Sequence, residues 1–167
     1  MRVSKRFPLA VHRLLFVAVL SPKKRVTSKL VAESTGSNPV SVRNIFLKLS
    51  NSELLTASAG KNGGVCLARQ PQDITLWDIY RAVELEDAEK IFNIYEGSDS
   101  CPIGRNFYQV LHPHMVSAAM AMEKDMELVT LASLISELKE LIENDPEKKV
   151  NGESITGTEN PLQIDKS

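Results

Sequence analysis

Cysteine is scarce. The chain has two, Cys66 and Cys101, standing far apart, which excludes a disulfide framework and a CxxC-type zinc site and fits a reducing cytoplasm. Histidine is nearly as scarce, three residues in all. His112 and His114 flank Pro113, but i and i+2 do not share a helical face and no nearby Cys completes a site, so no metal is expected. Carboxylate pairs and Ser-His or Cys-His arrangements are also lacking, so nucleophilic catalysis is without its usual base and the chain does not read as an enzyme. Long hydrophobic runs are absent too. The longest, Leu14 to Leu20, is too short to span a bilayer. Arg2, Lys5 and Arg6 before it mimic the start of a signal peptide, but His12 and Arg13 interrupt the segment, no A-x-A-like cleavage site follows, and Lys23-Lys24-Arg25 comes next. The run is assigned to a buried helix of a cytoplasmic protein with no membrane partner.

Acid is missing from one part of the chain. From Met1 to Arg69 there are 12 Lys and Arg against two acids, Glu33 and Glu53, whereas Gln70 to Ser167 holds the other 8 bases and 19 acids. The formal net charge of -1 therefore hides two parts of about +10 and -11. A basic part this concentrated suits a surface that neutralises phosphates, with strongly salt-dependent affinity. A merely solvated basic face carries the same signature. At 167 residues the chain has the length of one domain, or of a small domain with a helical extension.

What is present is helical periodicity punctuated by turns. Phe7 to Leu20 reads as a first helix, with Pro8 allowable in its first turn. Thr27 or Ser28 caps a short helix to Ala32 or Ser34, and Thr35-Gly36-Ser37 is a tight turn. Asn38-Pro39 starts a third helix to about Asn51, whose apolar positions Val42, Ile45, Phe46 and Leu49 leave a polar face without acids. Leu54–Ser58 and Val65–Ala68 read as strands around a loop, 59–64, rich in glycine. Thr75 with Asp78 forms a variant capping box for a helix from Leu76 to Val83. A long helical pattern from about Arg105 to Met126 carries an apolar stripe that wants a partner, with a kink or later start allowed for near Pro113. Thr130 caps a last helix, Leu131 to Glu143. The organisation expected is a DNA-binding domain at 1–83, a linker with a dimerisation helix and a C-terminal helix at 84–143, and a disordered tail at 144–167.

Helix, short helix, turn with Gly, helix and hairpin is the order of a winged helix-turn-helix, so the fold class expected is mainly α, with a two-stranded wing, a long dimerisation helix and a C-terminal helix. A helix that enters the major groove needs donors and few carboxylates. Ser37, Asn38, Ser41, Arg43, Asn44 and Lys48 meet that need, with Arg43 able to pair with guanine, Asn44 with adenine, and Lys48 with a phosphate. On its own such a helix would serve equally to keep a surface solvated. The glycine loop lacks the spacing of a phosphate cradle and sits between strands. It fits a wing, with Lys61 and Asn62 at its tip. A winged-helix adaptor that has lost DNA binding is the alternative, and the basic part speaks against it.

The runs Val31-Ala32-Glu33-Ser34, Ser37-Asn38-Pro39-Val40-Ser41-Val42-Arg43, Gly63-Gly64-Val65-Cys66-Leu67-Ala68 and Ile74-Thr75-Leu76-Trp77-Asp78-Ile79-Tyr80 resemble the Rrf2 family of bacterial winged-helix transcription regulators. The resemblance implies a homodimeric regulator, a repressor on a palindromic operator of double-stranded DNA, with the long helix pairing subunits and the last helix packing on the dimer. Several members hold an iron-sulfur cluster through three closely spaced cysteines before the long helix. Here only Cys101 stands in that region, and a thiolate-held cluster needs more, so the likeness is to the cluster-free, YwnA-like branch and no cofactor is expected. Cys101 remains a candidate redox sensor, activated if the start of the long helix stabilised its thiolate, and a small-molecule or redox effector is the kind of signal expected. Cys66, between apolar neighbours, is expected to be packing.

Overall fold

In a computed structural model, which describes residues 4–21, 26–58, 63–84 and 100–144, the first helix, α1, spans Arg6–Leu20. Its buried face is Ala10, Arg13, Leu14 and Val17, a single stripe at helical spacing. Its N-cap residue, Lys5, makes no side-chain capping bond. Instead the Glu84 carboxylate accepts from the Ser4 hydroxyl and, at 3.2 Å, from the Phe7 N–H.

Helix α2, Ser28–Thr35, begins where Thr27 accepts from the Leu30 N–H at 3.2 Å. It ends at Gly36, whose φ of 60° is the left-handed conformation the turn requires, and the Ser37 N–H closes back to the Ala32 carbonyl at 3.0 Å. Helix α3, Pro39–Asn51, follows at once. The Asn38 side chain accepts from the Val40 N–H at 2.8 Å, and Pro39 opens the helix without losing a bond. Val42, Ile45, Phe46 and Leu49 are its buried face.

Strands β1, Leu55–Ser58, and β2, Gly64–Leu67, pair antiparallel from Leu55 opposite Leu67 to Ser58 opposite Gly64. On the other side of β2 the Val65 N–H donates to the Val26 carbonyl at 2.9 Å, so the connection after α1 is stitched into the same small sheet. Residues 59–62, which hold Lys61 and Asn62, lie outside the described residues, as do Lys23-Lys24-Arg25, residues 85–99 and the tail from 145. Cys66 departs from the expectation of packing. It is exposed, because strand alternation turns Val65 and Leu67 onto the core and leaves Cys66 on the outer face, its thiol 3.9 Å from the Thr56 carbonyl.

Helix α4, Leu76–Glu84, starts with a reciprocal cap: Asp78 accepts from the Thr75 N–H at 3.0 Å and Thr75 Oγ1 from the Asp78 N–H at 3.1 Å. Helix α5 is longer than its periodicity suggests, Pro102–Glu127. Pro102 is tolerated in its first turn, where a missing N–H costs nothing, and the helix continues through Pro113 with no later start. Thr130 accepts from the Ser133 N–H at 3.2 Å to open α6, Leu131–Glu143.

The resulting architecture is mainly helical with one two-stranded sheet. The core joins α1, α2, α3, β1 and α4, and also Leu131 at the start of α6, which is fully buried among them. The chain returns there through paired bonds, Leu76 N–H to Val129 carbonyl at 2.9 Å and Leu131 N–H to Ile74 carbonyl at 2.8 Å. Helix α5 is different: none of its residues is buried. No helix among the described residues is long and apolar enough to cross a membrane.

Because Leu131 completes this core, Leu131→Ala is expected to lower stability by about 2–5 kcal/mol and Thr130→Ala by about 1 kcal/mol, measured by urea unfolding. A Leu131→Ala loss below that of Thr130→Ala would show that α6 is not part of the core.

Candidate nucleic-acid interface

Helix α3 keeps one face in the core and turns Val40, Ser41, Arg43, Asn44 and Leu47 to solvent. Its first turn has no acid, so the partial positive charge of the helix N-terminus is left uncompensated on the exposed side. Asn38, Ser41, Asn44 and Lys48 form one wall of an open groove of about 660 Å³, and Lys5 and Arg6 at the start of α1 form the other. The arrangement places donors and cations on both sides of a cleft, and no carboxylate is among the described residues that line it, which is suited to a polyanion.

The candidate residues are not equivalent. Ser41, Asn44 and Lys48 are brought together. Asn38 is there as well, but its side-chain oxygen is engaged in capping α3, which leaves only its amide N–H groups for a ligand. Arg43 stands on the adjacent exposed face, its Nε donating to the Pro39 carbonyl at 3.5 Å. Ser37 is turned back into the α2–α3 connection, its hydroxyl toward the Thr35 carbonyl at 3.5 Å. Lys61 and Asn62 lie outside the described residues.

Lys5 and Arg6 were not among the sequence-derived candidates. The signal was present, two cations just before an apolar helix, but in one dimension it reads as the head of a leader segment. What makes it a wall is the packing of α1 on α4. Phe7 meets Tyr80 edge-on at 5.6 Å between ring centroids, and Tyr80 stacks on Trp77 at 5.5 Å. Burial, and then the Glu84 carboxylate, push the Tyr80 hydroxyl above its ordinary pKa.

Two further basic residues hold the fold together, Arg69 at the surface and Arg13 inside. Arg69 donates to the carbonyls of Glu53, Ser52 and Asp73 at 3.2, 3.3 and 3.4 Å and lies 3.6 Å from the Asp78 carboxylate, tying the end of α3 to the start of α4. That brace holds the corner at which Glu53 takes a left-handed φ of 55°. Arg13 is fully buried behind α3, and its Nη1 donates to the Ser41 carbonyl at 3.2 Å. Burial lowers its pKa.

The family model for Rrf2, described as iron-dependent transcriptional regulators, matches residues 3–137. The chain belongs to the Rrf2 family. It is similar to the HTH-type regulator YwnA of Bacillus subtilis (strain 168), 30% identical over 81% of this chain and 98% of the relative. It is also similar to the HTH-type regulator NsrR of Oceanobacillus iheyensis, 26% identical over 85% of this chain and 95% of that one. Among solved structures, the T. potens IscR superposes with a TM-score of 0.63 at 24% identity, covering 84% of this chain and 90% of that one, a likeness of fold. The matched family is one of transcriptional regulators, not of enzymes.

An iron dependence in the family's description calls for a donor set, and this Rrf2 chain does not supply one for a thiolate-held centre. Its two thiols are on different elements, Cys66 on β2 and Cys101 immediately before α5. Among the described residues no three His, Cys, Asp or Glu side chains converge. Cys101 is exposed. The main-chain N–H groups of Gly104 and then Ile103 favour its thiolate and lower its pKa, although neither forms a capping hydrogen bond with it.

With the lowered pKa, the rate–pH profile for alkylation of Cys101 by iodoacetamide is expected to have its midpoint below that of an unstructured peptide thiol. Mass spectrometry of the intact protein should place label on Cys101 ahead of Cys66 at neutral pH, and preferential labelling of Cys66 would contradict this reading.

Proposed function

We propose that the chain is a homodimeric, sequence-specific DNA-binding regulator that lays α3 in the major groove of a palindromic operator and acts as a repressor by occupying that site. The observation that carries the reading is the acid-free exposed face of α3, with Asn38, Ser41, Asn44 and Lys48 facing Lys5 and Arg6 across one groove. Arg43 and Asn44 read base edges, the geometry in which Arg matches guanine and Asn matches adenine. Lys48, Lys5 and Arg6 take phosphates. Lys61 and Asn62, between β1 and β2 in the sequence, are assigned to the minor groove or a phosphate.

The second copy is supported by α5. A 26-residue helix with no buried residue is unusual in a protein that stands alone, and Ile103, Phe107 and Val110 repeat along it at helical spacing while 77%, 39% and 67% exposed. Pairing two chains through this face gives a two-fold dimer, with half-site centres about 34 Å apart on the DNA. Cys101, beside that face, is the proposed redox input. Because the thiol precedes the pairing helix, oxidation alters the ends of the two α5 helices and through them the spacing of the recognition helices.

Selection from a random-sequence duplex library is expected to return palindromes, and Arg43→Ala to weaken binding by about 1–3 kcal/mol with relaxed preference at one base position. Selected sites without two-fold symmetry, or affinity unchanged by Arg43→Ala, would remove the proposal. Phe107→Glu should convert dimer to monomer in sedimentation equilibrium and weaken binding with it. Mild peroxide should change operator affinity in the wild type and leave Cys101→Ser unchanged; equal responses would exclude Cys101 as the input.

A further inference from the structure

Among the described residues Arg13 is the only buried charged side chain. It sits on the same stripe of α1 as Ala10, Leu14 and Val17, all fully enclosed. Among the described residues its bond is from Nη1 to a main-chain carbonyl, that of Ser41, at 3.2 Å. Nε and Nη2 have no partner. Among the described residues no carboxylate pairs with it, so the guanidinium is a cation in the interior whose bond is to a main-chain carbonyl dipole.

Such a group is costly in the free protein, because the desolvation of a charge is repaid only by a well-placed counter-ion. Its position makes the cost greater. Ser41 is in the first turns of α3, the end of the helix that already carries partial positive charge, so cation and dipole repel. An isolated function in packing would be served better by an apolar side chain of the same length. What offsets the arrangement is negative charge laid along the opposite, exposed face of the same helix turns, the face of Ser41 and Asn44.

We propose that Arg13 is a buried cation that strengthens DNA binding through α3 without touching the DNA. The inference rests on the reading that α3 faces DNA, and goes beyond it by assigning a role to a residue with no access to the ligand. Protein interior between the two, in place of water, lets the field of the guanidinium reach the phosphates with little screening. The separation is about one helix diameter, on the order of 10–12 Å, and at an effective dielectric of about 20 a unit charge at that distance corresponds to about a tenfold change in affinity. Phosphates are alike in every sequence, so the effect falls equally on operator and random DNA.

The test compares wild type, Arg13→Met and Arg13→Lys by thermal denaturation and by titration at fixed low salt with two duplexes: one selected by the wild type and one of scrambled sequence. Arg13→Met is expected to melt at or above the wild-type temperature and to bind both duplexes about tenfold more weakly with their ratio preserved. Arg13→Lys, which restores the charge, is expected to recover most of the loss. A role confined to holding α3 in place would instead lower melting temperature and affinity together and change the ratio between the duplexes, which would overturn the proposal. So would an Arg13→Met protein with wild-type affinity. A wild type that binds neither duplex removes the DNA reading itself, whereas a wild type that binds beside an unaffected Arg13→Met removes only the role of Arg13.

Discussion

The winged half of the molecule depends on α1 being enclosed. Helices α3, α4 and α6 and strand β2 all pack against it, so a single apolar stripe is not enough. Ala10, Leu14 and Val17 are buried outright, and Phe7, Leu9, Val11, Leu15, Phe16, Ala18 and Leu20 are half-buried around them. That demand for apolar contact on nearly all sides makes the sequence of α1 look continuous where an ordinary surface helix would alternate. It also fixes the interface: the angle at which α3 leaves the core is set by what it rests on, and the groove exists because the start of α1 runs past the start of α3.

The same enclosure governs how the positive charge is used. A count along the chain treats every Lys and Arg before residue 70 as part of one surface. In three dimensions the described ones differ in use: Lys5, Arg6 and Lys48 line the groove, Arg69 is a brace, Arg13 is a buried cation and Lys29 pairs with Glu33. Arg69 spends its donors on three main-chain carbonyls, those of Ser52 and Glu53 after α3 and that of Asp73 before α4. Glu84 has a different part: its carboxylate is fixed at the first turn of α1 by the Ser4 hydroxyl and the Phe7 N–H. The electrostatics of the interface are therefore a product of the fold as much as of composition.

What was legible in the sequence was local. Thr27, Asn38, Thr75 with Asp78, and Thr130 each sit at a helix start and each makes the capping bond their chemistry suggests. Gly36 marked the helix-turn-helix corner because only a left-handed residue closes it. The exposed face of α3 could be read from the spacing of Val42, Ile45, Phe46 and Leu49. Hidden were the properties that need distant partners. Arg13 lies three residues from Ala10 and four from Val17, which puts it on the buried stripe, but its charge argues for the surface and only the packing of α3 above it decides. Lys5 and Arg6 became a wall through contacts with α4. Cys66 shows the opposite error, where apolar neighbours suggested burial although strand alternation had already turned it outward.

The bond pair between residues 74–76 and 129–131 has a further meaning for how the protein is made. A chain emerging from the ribosome presents α1 to α4 first, with α3 already synthesised, yet the position that Leu131 fills stays open until α6 begins to appear. The fold unit is thus not contiguous in time. A translation product interrupted before Leu131 would carry the described residues of the groove and still lack the piece that closes the core beneath it, so competence is tied to synthesis past the start of α6.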